Sequence, residues 1–294
     1  MFTSRRERIE ARAEREEPAQ AYVTTALGRL SYEERGKAKK DDDPVVVLLH
    51  GLLFDGGSWN GQIEPLSTLG RVVVFDGPGH GKSDVPPNFS LEEHADALAR
   101  ALTDLGVTRA ILVGLSWGGM LAMRVALQHP SRVAGLALLD TSAEAPTAIE
   151  KIRYRAFVEL HRWLGLPRRT FLSGVAPLLF APETMRKQSE LVMESYAAMM
   201  RFNPEGLARA ALAVLVRRTD ILKKISSIRV PALIVCGRED RSCPPSRSKN
   251  MAGAISGSEL VILERLGHMS ALEDPAAVNA HLVPFVDKTM GRRG

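Results

Sequence analysis

The sequence predicts an α/β protein with a mostly parallel central sheet, helices on both of its faces and a helical cap insertion. Three observations carry that prediction. Short apolar runs rich in β-branched residues recur at 45–49, 71–75, 110–113, 133–139, 231–236 and 259–263, and they are continuous rather than alternating, as in strands buried on both faces. Helical periodicity separates several of them, for example with Leu91, Ala95, Leu98 and Leu102 on one face, and strand–helix alternation is the signature of a parallel sheet. From 143 to 225 the alternation gives way to helical spacing broken by Pro167, Pro177, Pro182 and Pro204, with no buried strand run.

Length and composition agree. The chain has 294 residues, 45% hydrophobic and 25% charged, enough to bury a full core in one large domain with an insertion. Residues 1–20 alternate Arg and Glu and read as a charged N-terminal extension ended by Pro18. The core is expected at 21–142 and 226–294, with the cap at 143–225. Alternation between Tyr22 and Tyr32 suggests one or two short edge strands, and the Lys- and Asp-rich stretch from Lys37 a solvated loop. Ser90, with Glu93 at the capping-box position, starts a helix running to about Leu105. A further helix is expected from about Pro275 to Val286.

The formal net charge is +5, and the excess sits in the helical block. There, fourteen Lys or Arg face eight Asp or Glu. They are scattered among apolar residues with little aromatic interleaving, a solvated helical surface rather than a nucleic-acid face, although steering of anionic substrates stays open. The two cysteines, Cys236 and Cys243, are too few for a disulfide framework and lack the partners of a zinc site. No stretch reaches the roughly 18 apolar residues of a membrane span, and the charged beginning lacks a signal-peptide core. The expectation is a soluble, cytoplasmic protein.

Gly114-Leu115-Ser116-Trp117-Gly118 lies between the apolar run at 110–113 and a helical segment at 120–128. A strand-to-helix turn with small residues two positions before and after the serine leaves room for a strained nucleophile whose hydroxyl stands clear of the sheet. A second glycine-rich loop, 76–83, invites comparison with a phosphate-binding loop. That motif needs glycine where Asp76 stands, and the loop runs into Pro86-Pro87 instead of a helix.

A serine hydroxyl needs a base, and the base an orienting group. Of seven histidines, His129 precedes Pro130, His94, His161 and His281 lie in helical patterns, and His50 and His80 follow earlier strands. His268, in a glycine-marked loop after the run at 259–263, is placed where the catalytic groups of open parallel sheets gather. For the acid, Asp240 follows the preceding strand. Asp140, at the end of the 133–139 run, competes with it, and the adjacent Glu239 ranks behind. The order Ser, Asp, His fits a nucleophile elbow with either aspartate.

From about Val45 to Val286 the chain resembles the α/β-hydrolase fold family. His50-Gly51 is similar to its oxyanion loop, 76–83 to its D-x-P-G-x-G-x-S loop, and 114–118 to its elbow. Gly237-Arg238-Glu239-Asp240 with Pro244 is similar to its acid loop, and Gly267-His268 to its histidine loop. The resemblance implies oxyanion donation by the backbone N–H groups of Leu52 and Trp117, and structural roles for Asp76, His80 and Ser83. It implies hydrolysis through an acyl-enzyme on Ser116, with His268 as base and Asp240 as its partner, and with no cofactor or metal. The substrate would be a small apolar carboxylic ester, lactone or related carbonyl compound. Trp163, Phe171, Phe180, Met193, Tyr196, Met199, Met200 and Phe202 could line its pocket or merely fasten the cap to the sheet. The elbow is also similar to those of enol-lactonases and carbon–carbon bond hydrolases. Cofactor-free peroxidase chemistry and a non-enzymatic ligand receptor on the same fold are the other readings.

Overall fold

The computed structural model describes residues 21–40 and 42–291, so the N-terminal extension expected over 1–20 lies outside the described residues. The chain enters through an antiparallel hairpin, β1 (Ala21–Thr25) and β2 (Gly28–Arg35). Next come β3 (Val45–Leu49), α1 (Asn60–Ser67), β4 (Val72–Phe75), α2 (Leu91–Asp104), β5 (Ala110–Leu115), α3 (Trp117–Gln128) and β6 (Val133–Leu139). After a helical segment come β7 (Ala232–Gly237) and β8 (Glu259–Leu263). The eight strands form one sheet in the order β1-β2-β4-β3-β5-β6-β7-β8. β2 meets β4 antiparallel, and every pairing from β4 to β8 is parallel.

Every residue of β3 through β7 is buried, the physical reason their sequences show no alternation. Val47 and Leu112 face one apolar cluster with α2 and α3, while Val46 and Ile111 face another. α2 opens on the expected capping box, Ser90 accepting from the Glu93 N–H and the Glu93 carboxylate from the Ser90 N–H. The topology brings the carboxyl ends of β3, β5, β6 and β7 together beside one another.

Between β6 and β7 every regular element is helical. α4 (Ala148–Leu164) starts on a second capping box, Thr147 with Glu150. Three contiguous helical pieces follow, Arg168–Thr170, Phe171–Val175 and Ala176–Leu179. Then come α5 (Pro182–Lys187), α6 (Ser189–Met199) and α7 (Pro204–Leu212), which continues into a wide turn at Ala213–Arg217. α8 (Pro245–Ala254) connects β7 to β8, and α9 (Ser270–Glu273) and α10 (Pro275–Thr289) close the chain. Among the described residues no helix is long and apolar enough to cross a membrane.

Two helices stand where the sequence shows only connections. α1 contains Gly61 and Pro65 and buries only Gln62 and Leu66, so it carries no apolar period. Long-range bonds hold it, Gln62 Nε2 to the Ala271 carbonyl and Asn279 Nδ2 to the Gly61 carbonyl. α8 buries only Ser248 and Met251, again too few for a pattern.

Candidate functional site

The turn from β5 to α3 is forced by what surrounds it. Ser116 has φ 52° and ψ −110°, a backbone state that costs a non-glycine residue about 1–3 kcal/mol and persists only where its surroundings impose it. A Cβ on Gly118 would lie 2.0 Å from the Leu49 carbonyl oxygen, and one on Gly114 would lie 2.3 Å from the Gly118 backbone. Both glycines are therefore steric requirements of the elbow. The Thr141 hydroxyl donates to the Ser116 carbonyl at 2.6 Å, and the Ser116 N–H donates to the Leu139 carbonyl, tying the turn to β6.

The sheet brings Ser116, His268 and Asp240 into one hydrogen-bonded line. Ser116 Oγ lies 2.8 Å from His268 Nε2, and His268 Nδ1 lies 2.8 Å from Asp240 Oδ2. Asp240 Oδ1 accepts from the N–H groups of Ser242 and Cys243, so a carboxylate is satisfied there and takes its remaining bond from Nδ1–H. That fixes the tautomer with Nε2 free to accept the serine proton. All three residues are over nine-tenths buried. Burial opposes charge on His268, but the Asp240 carboxylate and its hydrogen bond, aided by Asp140 and Glu273, outweigh it and raise the imidazole above its ordinary value.

Asp140, the competing acid, goes elsewhere. Its Oδ1 accepts from the Gly237 N–H at 2.8 Å and its Oδ2 from the Ser270 hydroxyl at 2.5 Å. Complete burial, with Asp240 close by, pushes its carboxyl well above the ordinary range. Glu239 is only half-buried. Asp140, Cys236 and Asp240 bring ligand-type atoms within 4.8 Å of one another. The two carboxylates are spent on the bonds just described, and the Cys236 thiol, which burial pushes well up and so keeps protonated, donates to the Gly237 carbonyl. That donor set does not suit a cation.

The N–H groups of Leu52 and Trp117 have no protein acceptor among the described residues, whereas the next N–H along, that of Gly118, is bonded to the His50 carbonyl. The loop carrying Leu52 is braced by two neutral histidines. His50 Nδ1 donates to the Gly51 carbonyl at 2.7 Å while Nε2 accepts from the Gly77 N–H, and His80 Nε2 accepts from the Leu53 N–H. Burial drives the His80 imidazole down to about 3, with His50 adding to the effect. Asp76 accepts from the Gly56 and Lys82 N–H groups, and the Ser83 hydroxyl donates to the Asp76 carbonyl. Asp76, His80 and Ser83 thus act as braces. The Trp117 indole packs among His50, His80 and His94.

Glu273 gave no sequence signal, yet it holds the histidine loop. Its buried carboxylate accepts from the Gly267 N–H, the Ala181 N–H and the Thr184 hydroxyl, and the Met269 N–H donates to the Leu179 carbonyl. The loop is thereby stitched to the helical segment. Of the proposed pocket residues, Phe171, Phe180, Met199 and Phe202 are buried, Met193 and Tyr196 half-buried, and Trp163 and Met200 exposed by 79% and 48%.

An elbow between β5 and α3, facing an acid after β7 and a histidine after β8, is a family arrangement, and residues 44–275 match the alpha/beta hydrolase fold model. The chain belongs to the α/β-hydrolase fold family. Within that family it is a hydrolase similar to several others. It is 28% identical over 250 residues to the "Putative carbamate hydrolase RutD" of Serratia proteamaculans, covering 84% of this chain and 92% of that one. It is 28% identical over 268 residues to the 2-hydroxy-6-oxononadienedioate/2-hydroxy-6-oxononatrienedioate hydrolase of Paraburkholderia phymatum, covering 88% and 91%. Among solved structures, a thermophilic esterase from Thermogutta terrifontis superposes with a TM-score of 0.84 at 29% identity, covering 92% of this chain and 99% of that one.

Proposed function

We propose that the protein is a serine hydrolase that cleaves a small carboxylic ester or lactone through an acyl-enzyme on Ser116. The observation that carries this is the line Ser116–His268–Asp240, with 2.8 Å at each step. Ser116 Oγ attacks the substrate carbonyl carbon as its proton passes to His268 Nε2. Asp240 stabilises the imidazolium through Nδ1–H. The tetrahedral oxyanion takes the two unused N–H groups, Leu52 and Trp117, each such donor typically contributing about 3 kcal/mol to the barrier reduction. The C–O bond then breaks as His268 returns the proton to the alcohol, and water repeats the cycle on the acyl-enzyme. The helical segment 143–225 acts as a cap over this cleft. Two buried free thiols, Cys236 and Cys243, suit a reducing, cytoplasmic setting.

Replacing Ser116 with Ala should abolish turnover of a chromogenic short-chain ester, by on the order of 10⁴-fold or more, while the melting temperature stays near that of the parent. A fluorophosphonate should label Ser116 in the parent and nothing in the variant. Esterase activity persisting in Ser116→Ala sinks the proposal. The similarity to a hydrolase of 2-hydroxy-6-oxo dienedioates favours one second reading, carbon–carbon cleavage by the same triad. Turnover of a vinylogous diketone without turnover of any ester or lactone would select it.

A further inference from the structure

Where the helical segment returns toward β7, Arg218 is 7% exposed. Its Nη1 contacts Met120 Sδ, and its Nε is buried without any hydrogen-bond partner. No carboxylate pairs with it among the described residues. The neighbouring guanidinium groups are all provided for, Arg124 by Glu92 at 2.9 Å and Arg247 by Glu144 at 2.5 Å. The other titratable groups within its electrostatic reach are Cys243 and Tyr154. Burial raises both of these, so both are neutral at physiological pH. A desolvated cation left without a counter-charge is costly, and proteins keep one only where something supplies the missing anion.

The location says what that is. Met120 stands one turn beyond the nucleophile, its N–H bonded to the Ser116 carbonyl. Cys243 donates its N–H to Asp240. Met120 and Cys243 share an apolar cluster with Trp117, Ala213 and Val214, and Leu52 packs at its edge. Arg218 therefore borders the same cluster as both residues that offer free N–H groups to an oxyanion, with an unused donor and a planar fork that matches a carboxylate.

We infer that Arg218 anchors a carboxylate on the substrate, remote from the scissile carbonyl, so that the preferred substrate is an acidic ester or lactone such as the half-ester of a dicarboxylic acid. This inference rests on the acyl-transfer reading of Ser116 and narrows its substrate class. The net positive helical segment steers such an anion toward the cleft. An empty site stores the cost of the buried charge, and the bound carboxylate relieves it.

The test uses one acyl chain in two forms, mono-p-nitrophenyl glutarate and its methyl ester, and reads the ratio of their kcat/KM values, in which any general loss of activity cancels. The parent should favour the acid form. Arg218→Gln should cut that ratio by on the order of 100-fold, and Arg218→Lys by less, because a point charge keeps attraction but loses the fork. Glutarate itself should raise the melting temperature of Ser116→Ala and fail to raise that of the Ser116→Ala/Arg218→Gln double variant. Without ligand, Arg218→Met should melt at or above the parent's temperature. An unchanged ratio with both esters turned over overturns the inference and leaves the hydrolase reading standing. If neither ester turns over but glutarate still stabilises in an Arg218-dependent way, the anion site stands and the acyl-transfer reading falls. A variant series that fails to fold, or an Arg218→Met that melts well below the parent, shows a structural cation and also overturns the inference.

Discussion

The sheet with its flanking helices and the helical segment between β6 and β7 bury their side chains by opposite rules. In the first, β3 through β7 leave no residue exposed, and α3 buries ten of its twelve residues. In the second, α4 buries only Val158. Its large apolar residues Ile149, Ile152, Leu160, Trp163 and Leu164 are between 52% and 79% exposed. At 3.6 residues per turn these form one arc, and that arc faces solvent while Tyr154, Val158 and Arg162 face inward. An element enclosed on both sides has only one way to be buried. A helix packed on one side has two, and its apolar pattern does not say which.

The difference predicts that chemistry is most sensitive on the sheet side. Asp240→Asn should lower kcat by on the order of 10⁴-fold with little change in fold, as expected when the carboxylate that orients a catalytic imidazole is neutralised. Asp140→Asn should keep most activity, because Asp140 bonds Ser270 and Gly237, not His268. The pH profile supplies a second check. On the proposed mechanism catalysis needs neutral His268, whose raised value places the acid limb of kcat/KM above the pH at which an unperturbed histidine titrates. Without the Asp240 charge the burial effect dominates, so the residual activity of Asp240→Asn should show that limb shifted to lower pH. The reverse ranking of the two variants would move the acid from β7 to β6.

Glu273 joins the two regions and should give an intermediate effect. A glutamine offers one acceptor and an N–H₂ group where three donors converge, leaving a buried donor unsatisfied at about 1–3 kcal/mol. Glu273→Gln should therefore lower the melting temperature and reduce kcat by roughly tenfold through displacement of His268. It should also move the acid limb down less than Asp240→Asn does. A normal kcat with a lower melting temperature would make Glu273 a fastening for the helical segment alone.

Legibility in the sequence follows the same division. The strands, α2 and the elbow with its serine could be read because each is fixed locally, by an unbroken apolar run, a capping box or two glycines that a Cβ would destroy, and the histidine because a glycine-marked loop after the last strand carries it. The choice between Asp140 and Asp240 could not be read, since both end adjacent strands and only the direction of His268 separates them. Glu273 was invisible because its partners, Ala181 and Thr184, are about ninety residues away. Trp163 and Met200 stand beside Phe171 and Phe180 as pocket candidates because all four are large apolar side chains of the helical block, and residue type alone does not say which of them is covered.

The smallest effect should come from the largest side chain of α4. Trp163 is 79% exposed, with Arg162 over its ring at 5.6 Å. An exposed contact of that kind is worth about 0.5–1 kcal/mol, and the loss is offset in part by removing apolar surface from water. Trp163→Ser should leave stability within about 0.5 kcal/mol of the parent. Val158→Ala, a loss of only two methylene equivalents, should cost more, about 1–2 kcal/mol at roughly 0.8 kcal/mol for each buried CH₂ group. Thermal or urea unfolding of the two variants side by side measures the contrast directly. If Trp163→Ser proved the more damaging, with a loss that grew with protein concentration, the apolar arc would be a covered surface in solution and the two regions would obey one rule after all.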